Sequence, residues 1–240
     1  MSAGKSMGTD GDALTQSLDL LSDTYNYNLW VYSLLRPKIG ESVLEVGAGV
    51  GNLTRFLLDR KSVVCLEPDP AYAAALRDLA ATHRNIQVLG TGLAEDGAAA
   101  VPGATFDTVL CVNVLEHIRD DVAGLKSMLA NLAPGGSLLL YVPACPFAFG
   151  TLDASLGHYR RYSKRSLRRL AAANGASLRL CRFVNMPGIF GWFWASRVSR
   201  DTRIEPRKAR FVDRLAPYIS AFERIIPPPI GQSLFAVIVK

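Results

Sequence analysis

The sequence has 240 residues, 49% of them hydrophobic, 9% aromatic and 20% charged; that balance supports a buried core and excludes a disordered, collagen-like or low-complexity chain. The formal net charge of +6 is unevenly held: residues 1–150 carry 10 Lys and Arg against 16 Asp and Glu, net −6, and residues 151–240 carry 17 against 5, net +12. So basic a C-terminal part either balances the acidic first part or attracts an acidic small molecule, an anionic membrane surface or nucleic acid, and composition does not separate these.

Residues 1–13 have Gly, Ser and Asp without an apolar period and read as a disordered start. The first twenty residues lack a basic segment followed by an apolar block, so no secretory signal is expected and the cytoplasm is the expected compartment. From Leu14 the character changes: Leu14, Leu18, Leu21, Tyr25 and Leu29 recur every three or four residues, which predicts one or two N-terminal helices ending near Arg36-Pro37. From Ser42, short apolar runs alternate with helical stretches. Strands are predicted at 42–46, 62–67, 86–90, 106–112, 137–142, 177–182 and 233–239, with helices at 51–60, 70–82 and 119–132. Runs such as VVCL and TVLCV are apolar on both faces, as a parallel sheet covered by helices requires, so the expected fold is a doubly wound α/β sandwich.

Beyond Gly150 the regularity weakens. A helix is predicted over 163–174, then an aromatic segment 190–194, a basic segment 197–210, and a helix over 211–225 with Phe211, Leu215, Ile219 and Phe222 on one side, broken by Pro227-Pro228-Pro229. The stretch 137–153 is nearly uncharged but is interrupted by Pro143, Pro146 and Gly150, so it does not predict a membrane span. Cys65, Cys111, Cys145 and Cys181 contain no Cys-x-x-Cys pair; buried free thiols are expected, with neither a zinc site nor a redox dithiol.

Glycines 47, 49 and 51 follow the first strand, where they permit a tight turn and close backbone approach to a ligand. Glu67 ends the second strand, placed to accept hydrogen bonds from ribose hydroxyls. A dinucleotide fold shares that pair, but acidic Glu45 beside the loop would repel a pyrophosphate and attract an ammonium group, favouring a ligand with a ribose and an amino-acid end.

The combination of LEVGAGVGNLT, VVCLEPD, FDTVLCVNVLEHI and LAPGGSLLLYVPA resembles the class I S-adenosylmethionine-dependent methyltransferases over about Tyr25 to Asn185. NYNLW, NVLEHIRDD, GHYRRYSK and PPPIGQS are similar, more narrowly, to a bacterial group acting on small molecules. The resemblance implies a Rossmann-like sheet of seven strands, mostly parallel with an antiparallel final strand, N-terminal helices and a helical, aromatic cap, in one domain over 14–240 with a lid at 14–40 and substrate-side elements at 150–230. It implies S-adenosyl-L-methionine as cofactor. Glu45, Gly47, Ala48, Gly49, Asn52 and Leu53 would surround the methionine part, Glu67 hold the ribose, and Pro68, Gly92 and Leu93 flank the adenine. Asn113 would face the sulfonium end, and Tyr25, Asn26 and Trp30 would close over the cofactor or simply pack in the core. Where many relatives carry an Asp after the third strand, this sequence has Thr91, with Glu95 and Asp96 nearby.

On the acceptor side, His158 is the candidate general base, with Asp153 as its orienting partner; the plainer reading is a loop-fixing hydrogen bond. Arg160, Arg161 and Arg165 would fork around a carboxylate or phosphate, and Tyr159, Tyr162, Asn185, Phe190, Trp192 and Trp194 would wall an apolar pocket. His117 is expected to pack at a helix start and His83 to lie on the surface. The expected activity is methyl transfer to oxygen or nitrogen of a small, partly apolar acceptor. The alternatives are a lipid-linked or membrane-surface substrate and a non-catalytic cofactor-binding scaffold. No metal is expected, nucleic acid is disfavoured by NVLEH where base-modifying relatives carry a Pro-Pro motif, and either a monomer or a homodimer fits.

Overall fold

A computed structural model describes residues 24–94 and 96–240; Leu14, Leu18, Leu21 and Glu95 of the sequence reading lie outside them. Seven strands form one sheet: β1 Ser42–Val46, β2 Ser62–Leu66, β3 Ile86–Leu89, β4 Phe106–Val112, β5 Leu132–Pro143, β6 Ser177–Val184 and β7 Ser233–Val239. Their order is β3-β2-β1-β4-β5-β7-β6, and the first five run parallel. β7 inserts antiparallel between β5 and β6. Every predicted strand is present, and the antiparallel final strand is where the resemblance put it.

Alternation along the strands sends side chains to two cores. Leu44, Val109, Leu140 and Ala236 face one layer, which is covered by α3 (Asp121–Ala130) and α5 (Lys164–Ala173). Val43, Leu110, Leu139 and Phe235 face the other, covered by α1 (Tyr25–Leu35), α2 (Pro70–Ala80) and Ala216 of α7 (Pro206–Ile225). Local chemistry starts these helices. Asp69 accepts from the N–H groups of Ala71 and Tyr72 ahead of α2, Asp120 from Val122 and Ala123 in α3, and Ser163 from Ser166 in α5. Two short helices complete the C-terminal part, α4 (Thr151–Ser155) and α6 (Met186–Phe193), the latter continued by a π-turn over Trp194–Val198.

Two expectations are corrected. The helix predicted over 51–60 is only a 3-10 turn, Thr54–Phe56. Gly51 has φ +88°, outside helical geometry, and the chain after the turn is held instead by the Asn85 side-chain amide, which donates to the carbonyls of Leu58 and Arg60. The long C-terminal helix begins at Pro206, and its buried positions are Ala209, Ala216, Ser220 and Glu223. Phe211, Leu215 and Phe222 are exposed, and of the predicted apolar side Ile219 alone packs against the core. The helix ends before the triple proline, as predicted. All four cysteines are free, and Cys181 is the one that is not fully buried. Among the described residues no helix is long and apolar enough to cross a membrane.

Candidate active site

Reversal of strand order between β1 and β4 opens a crevice at the carboxyl ends of the strands, the usual ligand position in such sheets. The loop after β1 turns back sharply there, because the N–H groups of Gly47 and Ala48 both donate to the Leu66 carbonyl at 2.9 and 3.0 Å. Gly47 has φ +69°, and a Cβ on it would collide with Val114 Cγ2. Gly49 has φ +57° with no heavy atom within 4 Å of a Cβ position, so open space lies beside it. Its N–H donates to Glu67 Oε2 at 2.7 Å, and Asp69 N–H donates to Oε1 at 2.9 Å, which holds this nearly buried carboxylate at the loop. Gly92 lies next to Pro68, whose ring carbons are 3.8 and 3.9 Å from its Cβ position. Asn113 follows β4 in the left-handed region, φ 53°, with its N–H on the Tyr141 carbonyl at 2.7 Å.

Beside this crevice lies a cavity of about 680 Å³, with Asn113 among its lining residues. Trp192, Phe211, Leu215 and Ile219 line its apolar part, while Glu116, His117, His158 and Arg161 form a polar end. That end is organised by Asp153, which has no solvent exposure. Asp153 Oδ1 accepts from His158 Nδ1 at 3.0 Å and Arg161 Nε at 2.7 Å; Oδ2 accepts from Trp192 Nε1 at 3.0 Å and Gly150 N–H at 3.1 Å. Burial alone would raise its pKa, but the His158 hydrogen bond, the Arg161 charge and the Trp192 bond together hold it below the ordinary carboxylate value. Arg161 also donates from Nη1 to the Ala144 carbonyl at 3.0 Å, with its guanidinium 4.7 Å from the Trp192 ring centre.

Glu116 is the opposite case. It is fully buried, and neither carboxylate oxygen has a partner at hydrogen-bonding geometry among the described residues. Burial pushes its pKa up to about 8, against its own backbone N–H and then the pull of Arg161. The His117 and His158 rings meet edge to face at 4.7 Å. Burial, and then the neighbouring His158, push His117 down to about 4, so it is neutral.

The profile of the methyltransferase domain family matches residues 21–179, well over half of the chain. The chain is a class I S-adenosylmethionine-dependent methyltransferase. It is 35% identical over 105 residues to the ubiquinone biosynthesis O-methyltransferase of Xanthomonas euvesicatoria pv. vesicatoria (strain 85-10), covering 42% of each protein. The match thus spans less than half the length of that relative. Among solved structures, the S-adenosylmethionine-dependent methyltransferase of Mesorhizobium loti superposes with a TM-score of 0.59 at 14% identity, over 88% of this chain and 98% of that one. The O-methyltransferase NcsB1 from neocarzinostatin biosynthesis, solved with S-adenosylmethionine and 2-hydroxy-5-methyl naphthoic acid, gives 0.54 at 16% identity, over 91% of this chain and 51% of that one. At such identities the superpositions show the shared fold.

The cofactor of this methyltransferase is S-adenosyl-L-methionine, and the crevice fits it: open space beside Gly49, a carboxylate fixed at the loop by two backbone N–H groups, and the Pro68–Gly92 slot. The structure places the other expected cofactor residues as follows. Trp30 is a core residue at 3% exposure, and Leu53 is buried in the same layer. Tyr25 is half exposed and leans on Phe56, with ring centres 5.8 Å apart. The Asn26 side chain donates to Asp213 on α7 at 2.9 Å, beside the Tyr27 N–H at 2.8 Å, so α1 is tied to α7. Asn52 accepts from Arg55. Glu45 lies on the α1 side of the sheet, where its carboxylate accepts from Thr54 Oγ1 at 2.7 Å and faces Cys65. Ala48 is buried in that layer, and Leu93 packs against the other.

On the acceptor side the structure brings together His158, Arg161, Asn185 and Trp192. The arginine fork does not form. Arg160 pairs with Asp121 at 2.9 Å, Arg165 is exposed on α5, and Arg161 is committed to Asp153. Tyr162 is corrected to a core residue, its hydroxyl near Asp121 Oδ2 at 3.1 Å and the Leu115 carbonyl at 3.3 Å. Tyr159, Phe190 and Trp194 are exposed. Asn185, φ 62°, caps α6 by accepting from Gly188 N–H, while its own N–H and that of Met186 donate to Glu223. His117 lines the cavity rather than merely packing at a helix start, and the partly exposed His83 contacts Thr82 and Leu79. Sequence reasoning missed Glu116, whose signal was an acidic residue inside the apolar NVLEHI run, and the cavity-facing side chains of α7.

Proposed function

We propose that this methyltransferase methylates a hydroxyl oxygen of a small, largely apolar acceptor, held in the cavity with its hydroxyl at the Glu116–His117–His158 end. The observation that carries this reading is a cavity with an apolar wall and a Glu116–His117–His158 cluster on its lining, in which His158 is oriented through Nδ1 by a buried aspartate. S-Adenosylmethionine supplies an electrophilic methyl group when bound, held by Gly47, Gly49, Glu67, Pro68, Gly92 and Asn113. The protein's part is alignment and removal of the hydroxyl proton. Asp153 engages His158 through Nδ1, which leaves Nε2 free to accept that proton. Trp192, Phe211 and Leu215 exclude water around the acceptor's apolar part.

The name of the Xanthomonas relative, an O-methyltransferase of ubiquinone biosynthesis, supports an oxygen acceptor. A lipid-linked acceptor is the second reading, supported by exposed Phe190, Phe193 and Trp194 on α6 and its π-turn and by Arg203 and Arg207 lining the same cavity. In either case a cytoplasmic enzyme is proposed. The test is a panel of phenols, enols and amines, including prenylated phenols, incubated with methyl-labelled S-adenosylmethionine. Methyl transfer to phenols, lost in His158→Ala with unchanged cofactor affinity, supports the reading. Transfer only to amines, or full activity of His158→Ala, overturns it.

A further inference from the structure

We propose that Glu116, His117 and His158 form a binding site for one divalent transition-metal ion of the zinc, cobalt or manganese type, which engages the acceptor hydroxyl directly. One ligand atom from each residue lies within 4.8 Å of the others. Zinc–ligand bonds of about 2.0–2.2 Å separate tetrahedral ligand atoms by roughly 3.4 Å, so closure needs side-chain adjustments on the order of an ångström. Two histidines, one carboxylate and an open position facing a cavity are the donor set of catalytic zinc sites.

Three further observations point to a cation. A carboxyl group with no exposure and no partner at hydrogen-bonding geometry among the described residues is costly in the interior, and Glu116 is in that condition although it borders the cavity. The Asp153–His158 bond at 3.0 Å is the outer partner that metal-bound histidines normally have, fixing the proton on Nδ1 and freeing Nε2. Arg161 is the nearby opposing charge, and its Nε is bonded to Asp153 at 2.7 Å rather than to Glu116. The sequence alone predicted no metal, because its one histidine–carboxylate neighbour pair, Glu116-His117, is completed by His158 from a loop beyond the next strand.

The inference rests on the reading of the cavity as the acceptor site and recasts His158 in the loaded enzyme as a ligand. The acceptor hydroxyl then binds the ion as its fourth ligand. Its O–H bond breaks with the electron pair left on oxygen, and the proton passes to water. That oxygen forms the new O–CH3 bond while the S–CH3 bond breaks with its pair left on sulfur, giving S-adenosylhomocysteine. The acceptor class is accordingly a phenol or enol whose oxygen coordinates a metal.

The test uses the full chain, stripped with a chelator and titrated with Zn²⁺, Co²⁺ and Mn²⁺ by calorimetry, with the visible spectrum of the Co²⁺ form as a second readout. One equivalent is expected to bind at micromolar or lower Kd. Glu116→Gln and His117→Asn should each weaken binding at least 100-fold, Asp153→Asn about 10- to 100-fold, and His83→Ala not at all. Thermal melts identify any variant that does not fold, and whichever of Glu116→Gln and His117→Asn folds decides the point. No binding by the folded wild type, or binding unchanged in the folded ligand variants, overturns the proposal. Methyl transfer undiminished in metal-free protein but lost in His158→Ala overturns the metal and keeps the base. One metal equivalent held by these ligands, with no methyl transfer to any phenol, keeps the metal site and sinks the proposed acceptor class.

Discussion

Glu45 offers a quantitative test of how the loop is built. Its carboxylate is 4% exposed on the α1 face of the sheet, where Thr54 Oγ1 is its close hydrogen-bond donor at 2.7 Å. Burial raises its pKa to about 7 from 4.5, with Thr54 and Cys65 opposing and Glu67 adding repulsion. Between pH 4.5 and 7 the native state therefore keeps a proton that the unfolded chain has released, so this residue's contribution falls as pH rises through that window and levels off above it. A shift of two to three units at 1.36 kcal/mol each corresponds to about 3 kcal/mol. Glu45→Gln is neutral at every pH and keeps a carbonyl acceptor for Thr54. Urea unfolding of both proteins should show the variant gaining about 3 kcal/mol over wild type between pH 4 and pH 8. At pH 8 that gain should raise Tm by about 6–12 °C relative to the comparison at pH 4. Other titrating groups cancel in the difference. A difference that stays flat from pH 4 to pH 8 would refute the buried-carboxylate account. Calorimetry with S-adenosylmethionine on the same variant shows whether the charge also serves the cofactor's ammonium group: if it does, the more stable variant binds the cofactor more weakly.

Three further outcomes follow from the geometry. Glu67→Ala should weaken S-adenosylmethionine binding by about one to two orders of magnitude in calorimetry, as loss of a charged acceptor does, and unchanged affinity would remove Glu67 from the ribose role. Gly47→Ala must adopt φ +69° and displace Val114, so it should lose about 2–4 kcal/mol in urea unfolding together with most cofactor binding; a loss below about 0.5 kcal/mol would show that the turn relaxes. Asp213→Ala releases Tyr27 N–H and Asn26 from α7. It should speed amide exchange in 206–215 and raise the acceptor KM severalfold with kcat nearly constant; unaltered exchange would show that apolar packing alone holds α7.

The sheet was legible in the sequence because strands buried on both faces cannot disguise themselves. TVLCV and LLLYV have no polar side to turn to water, and each gly-pro-asp interruption marks where a chain must leave the sheet. The loop at 47–51 and its partner Glu67 were legible because the chemistry of close approach restricts residue type. Side-chain destinations were less so. Tyr25 and Leu29 occupy the predicted helical stripe, yet both are exposed, Tyr25 leaning on Phe56, while Trp30, off that stripe, is in the core. Arg160, Arg161 and Tyr162 are consecutive and go to Asp121, to Asp153 and into the core.

What this sequence determined by itself is the order and nature of its strands, the glycine turn with its acidic partner, and through them the methyltransferase family and its cofactor. Those signals are local: two or three turns of chain contain the whole constraint. Only the tertiary structure decided the acceptor end. Glu116 and His117 leave β4, His158 and Arg161 leave the loop after β5, Trp192 comes from α6, and Phe211 and Leu215 come from α7. No spacing in the chain encodes their meeting, because it is sheet order and the docking of α7 on α1 that bring them around one space.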